Sequence, residues 1–274
     1  MRGIAVHLCI VLTIFASSCS KDVETDPDRP ININDQVETE PPVLIPAAFR
    51  VNDQIGGYYV SRPANYTQTT KRYPLIIFIP GAGQFGNGST DLPLLLNDGI
   101  PKMVNENKFP ANFKVNGKNF SFITITPQLS SFPNGNSIND ILAYASATLR
   151  VDPARIYVAG LSIGGTVGCT MAADNSEKIA AVVPMAGVDY TYEVCKKLAD
   201  TKMPVWVFHN EGDPTTPVSQ ANEFISRFNA YQPQLAPRIT IFKSFGHDAW
   251  TQATSADYKE NNMNIYEWML QYSK

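Results

Sequence analysis

Ser162 stands in Gly160-Leu161-Ser162-Ile163-Gly164, with Gly165 immediately after it. A serine hydroxyl is a weak nucleophile until a base takes its proton, so chemistry here needs a histidine and a group to orient it. The chain has three histidines, and His7 lies in an N-terminal apolar leader. His247 sits in Phe245-Gly246-His247-Asp248-Ala249-Trp250, and His209 opens His209-Asn210-Glu211-Gly212-Asp213-Pro214. Asp213, Glu211, Asp189 and Asp248 are the candidate acids. An attacked carbonyl develops negative charge on oxygen, which calls for backbone N–H groups aimed at it. Ile163, directly after the serine, offers one. The loop Pro80-Gly81-Ala82-Gly83-Gln84-Phe85-Gly86 offers another, because its glycines let backbone approach a substrate closely; Ala82 is the candidate donor and Gly83 its neighbour. Such a set would carry acyl transfer.

These groups need a scaffold, and the apolar pattern describes one. Pro74-Leu75-Ile76-Ile77-Phe78-Ile79 is a continuous apolar run, which suits a strand buried on both faces. Phe120 to Thr126, Arg155 to Ala159, Ala181 to Met185, Pro204 to Phe208 and Arg238 to Phe242 are comparable, and Gly57 to Ser61 reads as an earlier strand. Helix-length stretches fall between or after them: Ile138 to Leu149, Gly165 to Asp174, Tyr190 to Ala199, Val218 to Ala230 and Ala256 to Tyr272. Ser137 and Ser255 stand as N-caps ahead of the first and the last. Strands alternating with helices predict an α/β domain with a mostly parallel central sheet and helices on both faces. In that frame Ser162 occupies a sharp strand-to-helix turn, with the helix N-terminus behind the developing charge. Asp213 and His247 each fall in the loop after a later strand.

Composition narrows the function. With 274 residues, 44% hydrophobic and 17% charged, the chain can bury a sizeable core. A net charge of -3 lacks the concentrated basic surface that nucleic acid requires. No closely spaced Cys and His form a metal pattern, and no cofactor is expected. Of the four cysteines, Cys9 leaves with the leader and Cys19 marks its end. Cys169 and Cys195 remain, either as a bridge or, the reading favoured, as two buried thiols.

The leader has Arg2, an apolar run from Ile4 to Phe15, then Ala16-Ser17-Ser18 and Cys19. It is too short to span a bilayer as a helix and reads as an export signal. It resembles a bacterial lipoprotein signal over 1–18, which implies lipidation of Cys19 and anchoring to the outer membrane on its periplasmic or cell-surface side. A plain secretory cut nearby would equally export the chain. From Ser20 to Pro46 seven acids (Asp22, Glu24, Asp26, Asp28, Asp35, Glu38, Glu40) face only Lys21 and Arg29. With few large apolar residues to offset ordering entropy, 19–46 reads as a flexible tether and 47–274 as the catalytic domain. An acidic stretch after such a cysteine is similar to the export signals of some surface-exposed outer-membrane lipoproteins.

The chain as a whole resembles the α/β-hydrolase superfamily. Within it the resemblance is to the esterase and predicted-peptidase group related to polyhydroxybutyrate depolymerases, feruloyl esterases and prolyl oligopeptidase catalytic domains. It is carried by Gly81-Ala82-Gly83-Gln84-Phe85-Gly86, Asp98-Gly99-Ile100-Pro101-Lys102-Met103, Thr126-Pro127-Gln128, Val151 to Val158 leading into the serine turn, His209 to Pro217, and Gly246-His247-Asp248-Ala249-Trp250. It spans about Tyr58 to the C-terminus. It implies an α/β-hydrolase fold in which nucleophile, acid and base follow in that order. That order assigns Ser162, Asp213 and His247, with Ala82 and Ile163 as oxyanion donors, and leaves His209 a strand-end residue near the acid loop. Relatives usually carry His before the glycine of the oxyanion loop and often Glu-Arg after it; here Pro80 and Gln84-Phe85 stand instead. Ala186 to Met203 is too short for a cap domain, so an open site is expected.

The implied activity is serine carboxylic-ester hydrolysis through an acyl-enzyme. The implied substrates are acetyl or feruloyl-type esters of extracellular glycans, or similar small-molecule or polysaccharide esters. A serine peptidase of prolyl-oligopeptidase type is the alternative, although that group usually carries a large propeller domain for which this chain has no room. A catalytically inactive binding module would lack a triad member, and none is missing. Phe85, Phe132, Tyr190 and Trp250 lie near the loops of the site, where aromatics serve packing as often as binding.

Overall fold

A computed structural model describes residues 33–133 and 137–274; the leader, Cys19 and the start of the acidic segment lie outside the described residues. The strands are Val43–Ala47 (β1), Ile55–Arg62 (β2), Tyr73–Ile79 (β3), Phe113–Val115 (β4), Lys118–Phe120 (β5), Ile123–Leu129 (β6), Val151–Leu161 (β7), Ile179–Met185 (β8), Trp206–Gly212 (β9) and Arg238–Phe245 (β10). The helices are Gly99–Asn105 (α1), Asn139–Thr148 (α2), Ile163–Asp174 (α3), Tyr192–Asp200 (α4), Val218–Ala230 (α5), Trp250–Thr254 (α6) and Ile265–Met269 (α7). β4 and β5 pair as a hairpin, and the other strands form one sheet in the order β1-β2-β6-β3-β7-β8-β9-β10. From β6 to β10 every neighbouring pair is parallel, while β2 runs antiparallel to both β1 and β6.

The central strands are apolar throughout because both sheet faces are covered. Along β3 the side chains alternate. Leu75, Ile77 and Ile79 join the core under α2, α3, α4 and α5. Ile76 and Phe78 join the core under α1, α6 and α7. This is the α/β-hydrolase architecture implied by the sequence resemblance. Between β8 and β9 the only helix is α4.

The sheet order creates the place for a site. β3 lies between β6 and β7, so the chain leaves β3 toward one side and later returns to the other. The connection after β3 leads to α1 on one face, and that after β7 leads to α3 on the opposite face. Diverging connections leave a crevice at the carboxyl ends of such strands.

Several elements differ from the sequence expectations. The segment read as tether is folded from Ile33: Glu38 is buried, accepting from Asn65 N–H at 3.1 Å, while β1 pairs with β2 along the sheet edge. Its charge is matched by Lys71 at 3.9 Å and Tyr73 OH at 3.5 Å, contacts that acidic composition cannot reveal. The run from Phe120 to Thr126 is broken, with Phe120 ending the hairpin and β6 starting at Ile123. The stretch from Ala256 to Tyr272 holds only α7, because Asn261 and Asn262 adopt φ of 53° and 63° and turn the chain. Ser255 ends α6, and Asn264 caps α7 with a reciprocal Glu267 bond. Ser137 does not cap α2; its hydroxyl bonds the Gln54 side chain. Cys169 and Cys195 are buried free thiols, pushed by burial to about 12 and about 11 respectively.

A chain starting at residue 47 loses nearly all of β1 together with Glu38, and bares the edge of β2. Compared with a chain starting at residue 33, its thermal midpoint is expected to fall by about 5–10 °C, from a loss of roughly 2–3 kcal/mol. Equal midpoints in calorimetry would show the edge strand to be dispensable.

Candidate active site

Ser162 sits between β7 and α3 with φ 53° and ψ −127°. Residues bearing a Cβ avoid this region, so neighbours must hold it there. The Ser162 N–H donates to the Met185 carbonyl at 2.8 Å, and the Ser162 carbonyl accepts from Gly165 N–H at 2.9 Å. Backbone closes in from other strands as well. A Cβ on Gly187 would lie 2.0 Å from the Ser162 carbonyl oxygen, and one on Gly164 would lie 2.2 Å from that of Ile79. The glycines around the serine exist because several strand ends converge on one turn.

Asp213 follows β9, with its side chain fully buried. Its Oδ1 accepts from the N–H groups of Thr215 and Thr216 at 2.8 and 3.0 Å, a turn closed by the carboxylate itself. Its Oδ2 lies 2.7 Å from His247 Nδ1. Burial alone would raise this carboxyl. Donation from Thr216 N–H, His247 and Thr215 N–H outweighs burial and holds it below the usual carboxylate value.

His247 is aimed by an irregularity in β10. The pairing with β9 shifts between Phe242 and Phe245, and Gly246 then adopts φ 102°. The Gly246 N–H donates to the Gly212 carbonyl at 3.1 Å, and its own carbonyl accepts from Asn210 Nδ2 at 2.8 Å. The ring then reaches Ser162, with Nε2 2.8 Å from Oγ. Trp250 packs edge-on against it, with ring centres 5.2 Å apart, and is held in turn by Nε1–H donating to Asp98 Oδ1 at 2.9 Å.

The glycine loop lies beside the serine: a Cβ on Gly81 would be 3.4 Å from Ser162 Cβ. Ala82 begins the 3-10 turn Ala82–Gln84, and Ile163 begins α3. The first N–H of each helical turn has no partner inside it, so both are free to meet an oxyanion. Two amides brace the loop. The buried Gln84 accepts from Gly81 N–H at 3.1 Å and donates to the Leu95 carbonyl at 3.3 Å. Gln128 donates to the Gln84 carbonyl at 3.1 Å and accepts from Gly88 N–H at 2.8 Å. Gln84 and Gln128 thus brace the glycine loop from both ends. The bracing by these amides and by Asp98 is not visible in the sequence, since no charge pattern distinguishes a buried amide from a surface one.

The rival acids go elsewhere. Asp189 accepts from Thr170 and Thr191, Asp248 accepts twice from Thr251 at the start of α6, and Glu211 is exposed. His209 meets Thr216 and Asp213 rather than the serine. Among the described residues no group of three metal-ligating side chains occurs. Phe85 and Phe132 meet edge to face at 5.5 Å beside the glycine loop, with Phe132 63% exposed.

The Dienelactone hydrolase family matches residues 125–272, just over half of the chain. No curated protein matches it. Solved structures share its fold. A thermostable esterase superposes with a TM-score of 0.58 at 19% identity, over 86% of this chain and 64% of that one. A fluorophosphonate-binding serine hydrolase of Staphylococcus aureus, FphF, gives 0.59 at 15% identity, over 84% and 99%. Est1E from Butyrivibrio proteoclasticus gives 0.54 at 15%, over 83% and 98%. This chain therefore spans just under two thirds of the thermostable esterase and nearly all of the other two.

Because the folded-state pKa of Asp213 is depressed, the unfolded chain binds more protons near the ordinary value of about 3.9. The stability it contributes is present above that value and is lost as pH falls through the folded pKa. In urea titrations the gap in midpoint between the parent and Asp213→Asn should therefore hold from about pH 6 to pH 5 and narrow as pH falls further toward about 3. A gap independent of pH would mean that Asp213 ionises no more readily folded than unfolded.

Proposed function

The chain belongs to the Dienelactone hydrolase family, and from that membership and the Ser162–His247–Asp213 geometry we propose that it is a serine carboxylic-ester hydrolase working through an acyl-enzyme. The observation that carries the reading is the unbroken line from Ser162 Oγ through His247, 2.8 Å at Nε2 and 2.7 Å at Nδ1, to Asp213. The carboxylate accepts Nδ1–H, which leaves Nε2 as the base facing the hydroxyl.

In this mechanism Ser162 Oγ attacks the ester carbonyl while its proton passes to Nε2. The carbonyl electron pair moves to oxygen, against the N–H groups of Ile163 and Ala82 and the N-terminus of α3. Collapse breaks the bond to the alcohol, which leaves with the proton from His247. Water, deprotonated by the same nitrogen, then attacks the acyl-serine and releases the acid. Asp213 balances the transient imidazolium without taking its proton.

The proposed substrates are acyl esters, acetyl or feruloyl-type, carried by extracellular glycans or comparable molecules. A single nine-residue helix between β8 and β9 supports an open site, and the exposed Phe132 against Phe85 offers an aromatic surface beside it. A lactone is itself an ester, so the family's name accords with this chemistry. Export and lipid anchoring at Cys19 complete the reading and rest on the leader sequence alone.

The test compares the parent with Ser162→Ala on short and long p-nitrophenyl esters, methyl ferulate and peptide anilides. Ester turnover should fall at least ~10³-fold in the variant, as removal of a triad nucleophile does. Peptide cleavage with esters untouched would overturn the ester reading in favour of a peptidase.

A further inference from the structure

His209 has no part in the mechanism above, yet its side chain is fully buried in the middle of β9, not at the strand end expected from the sequence. Its Nε2 lies 2.8 Å from the Thr216 carbonyl oxygen and 3.4 Å from Asp213 Oδ2. A carbonyl oxygen only accepts, so Nε2 carries a ring proton and donates it. Nδ1 is buried and has no hydrogen-bond partner among the described residues. Leaving such an atom unpaired carries a desolvation cost that an apolar ring of similar size would avoid. The imidazole is therefore explained by its other nitrogen.

That nitrogen acts on the acid loop. Thr216 is the pivot, since its N–H donates to Asp213 Oδ1 at 3.0 Å while its carbonyl accepts from His209. From this geometry we infer that His209 is a positioning residue for the triad acid. Its Nε2–H clamps the Asp213–Thr216 turn and so keeps Oδ2 turned toward His247. Nε2 also lies 3.4 Å from Oδ2, so the ring packs against the carboxylate and limits its rotation away from the histidine it serves. The inference rests on Asp213 being the triad acid.

The test uses two substitutions in the full chain. His209→Phe keeps a ring and removes the donor, whereas His209→Gln keeps an N–H of similar reach. The first readout needs no substrate: the downfield proton resonance of His247 Nδ1–H in its bond to Asp213. It should be sharp in the parent and in His209→Gln, and broadened beyond detection in His209→Phe. The second readout is turnover of an accepted ester. In His209→Phe kcat should fall about 10–100-fold, as for a misplaced catalytic group, with KM within about twofold; His209→Gln should restore most of it. A role confined to stability would lower the unfolding midpoint and leave resonance and kcat intact, which would overturn the inference. Loss of both in a folded His209→Gln would overturn it as well. If His209→Phe does not fold, His209→Met removes the donor in its place. A parent that shows the resonance but hydrolyses no ester overturns the ester reading alone, and the resonance then decides the role of His209.

Discussion

The turn at Ser162 holds a left-handed conformation that a side chain resists at a cost of about 1–3 kcal/mol, and the surrounding strands are arranged so that it cannot relax. Its N–H is committed to Met185 and its carbonyl to Gly165. Ala186, the next residue after Met185, is itself at φ 50° and donates to the Phe208 carbonyl at 2.8 Å. The ends of β7 and β8 are thereby tied to each other and to the middle of β9 by backbone alone. Because Gly164 lies against Ile79 and Gly187 against Ser162, no side chain cushions this junction. The serine hydroxyl points where it does because the peptide groups around it have nowhere else to go.

The electrostatics are built on that rigid base. Asp213 has donors on both oxygens: two backbone N–H groups on one and His247 on the other, with the His209 ring packed close by. A carboxylate held this way stays ionised although buried. His247 by contrast is 20% exposed, so part of its ring is reachable from solvent, as the proposed proton exchange requires. A fixed anion behind and an accessible ring in front is the division of labour a proton shuttle needs.

Much of this was legible in the sequence, for identifiable reasons. A parallel sheet covered on both faces writes itself as unbroken apolar runs, which is why β3, β7, β8 and β9 could be read. Glycines packed round a serine between a strand and a helix mark a turn too tight for Cβ atoms, and chain order then separated His247 from His209. What could not be read depends on contacts distant in sequence. Glu38 looks like one more acid in an acidic stretch until Asn65, Lys71 and Tyr73 are brought to it. Gln84 and Gln128 look like surface amides until they close round the glycine loop. The C-terminal stretch has helical composition, but two asparagines in left-handed conformation and a bridge between Glu260 and Met263 interrupt it.

The position of β10 at the edge of the sheet has a consequence in time. It pairs with β9 and with no other strand of the sheet, and the histidine it aims follows the serine by 85 residues. A chain still emerging carries the proposed nucleophile without its proposed base. The last strand to be made is the one whose docking completes the proposed triad. In this fold the order of synthesis therefore sets when the proposed site is assembled.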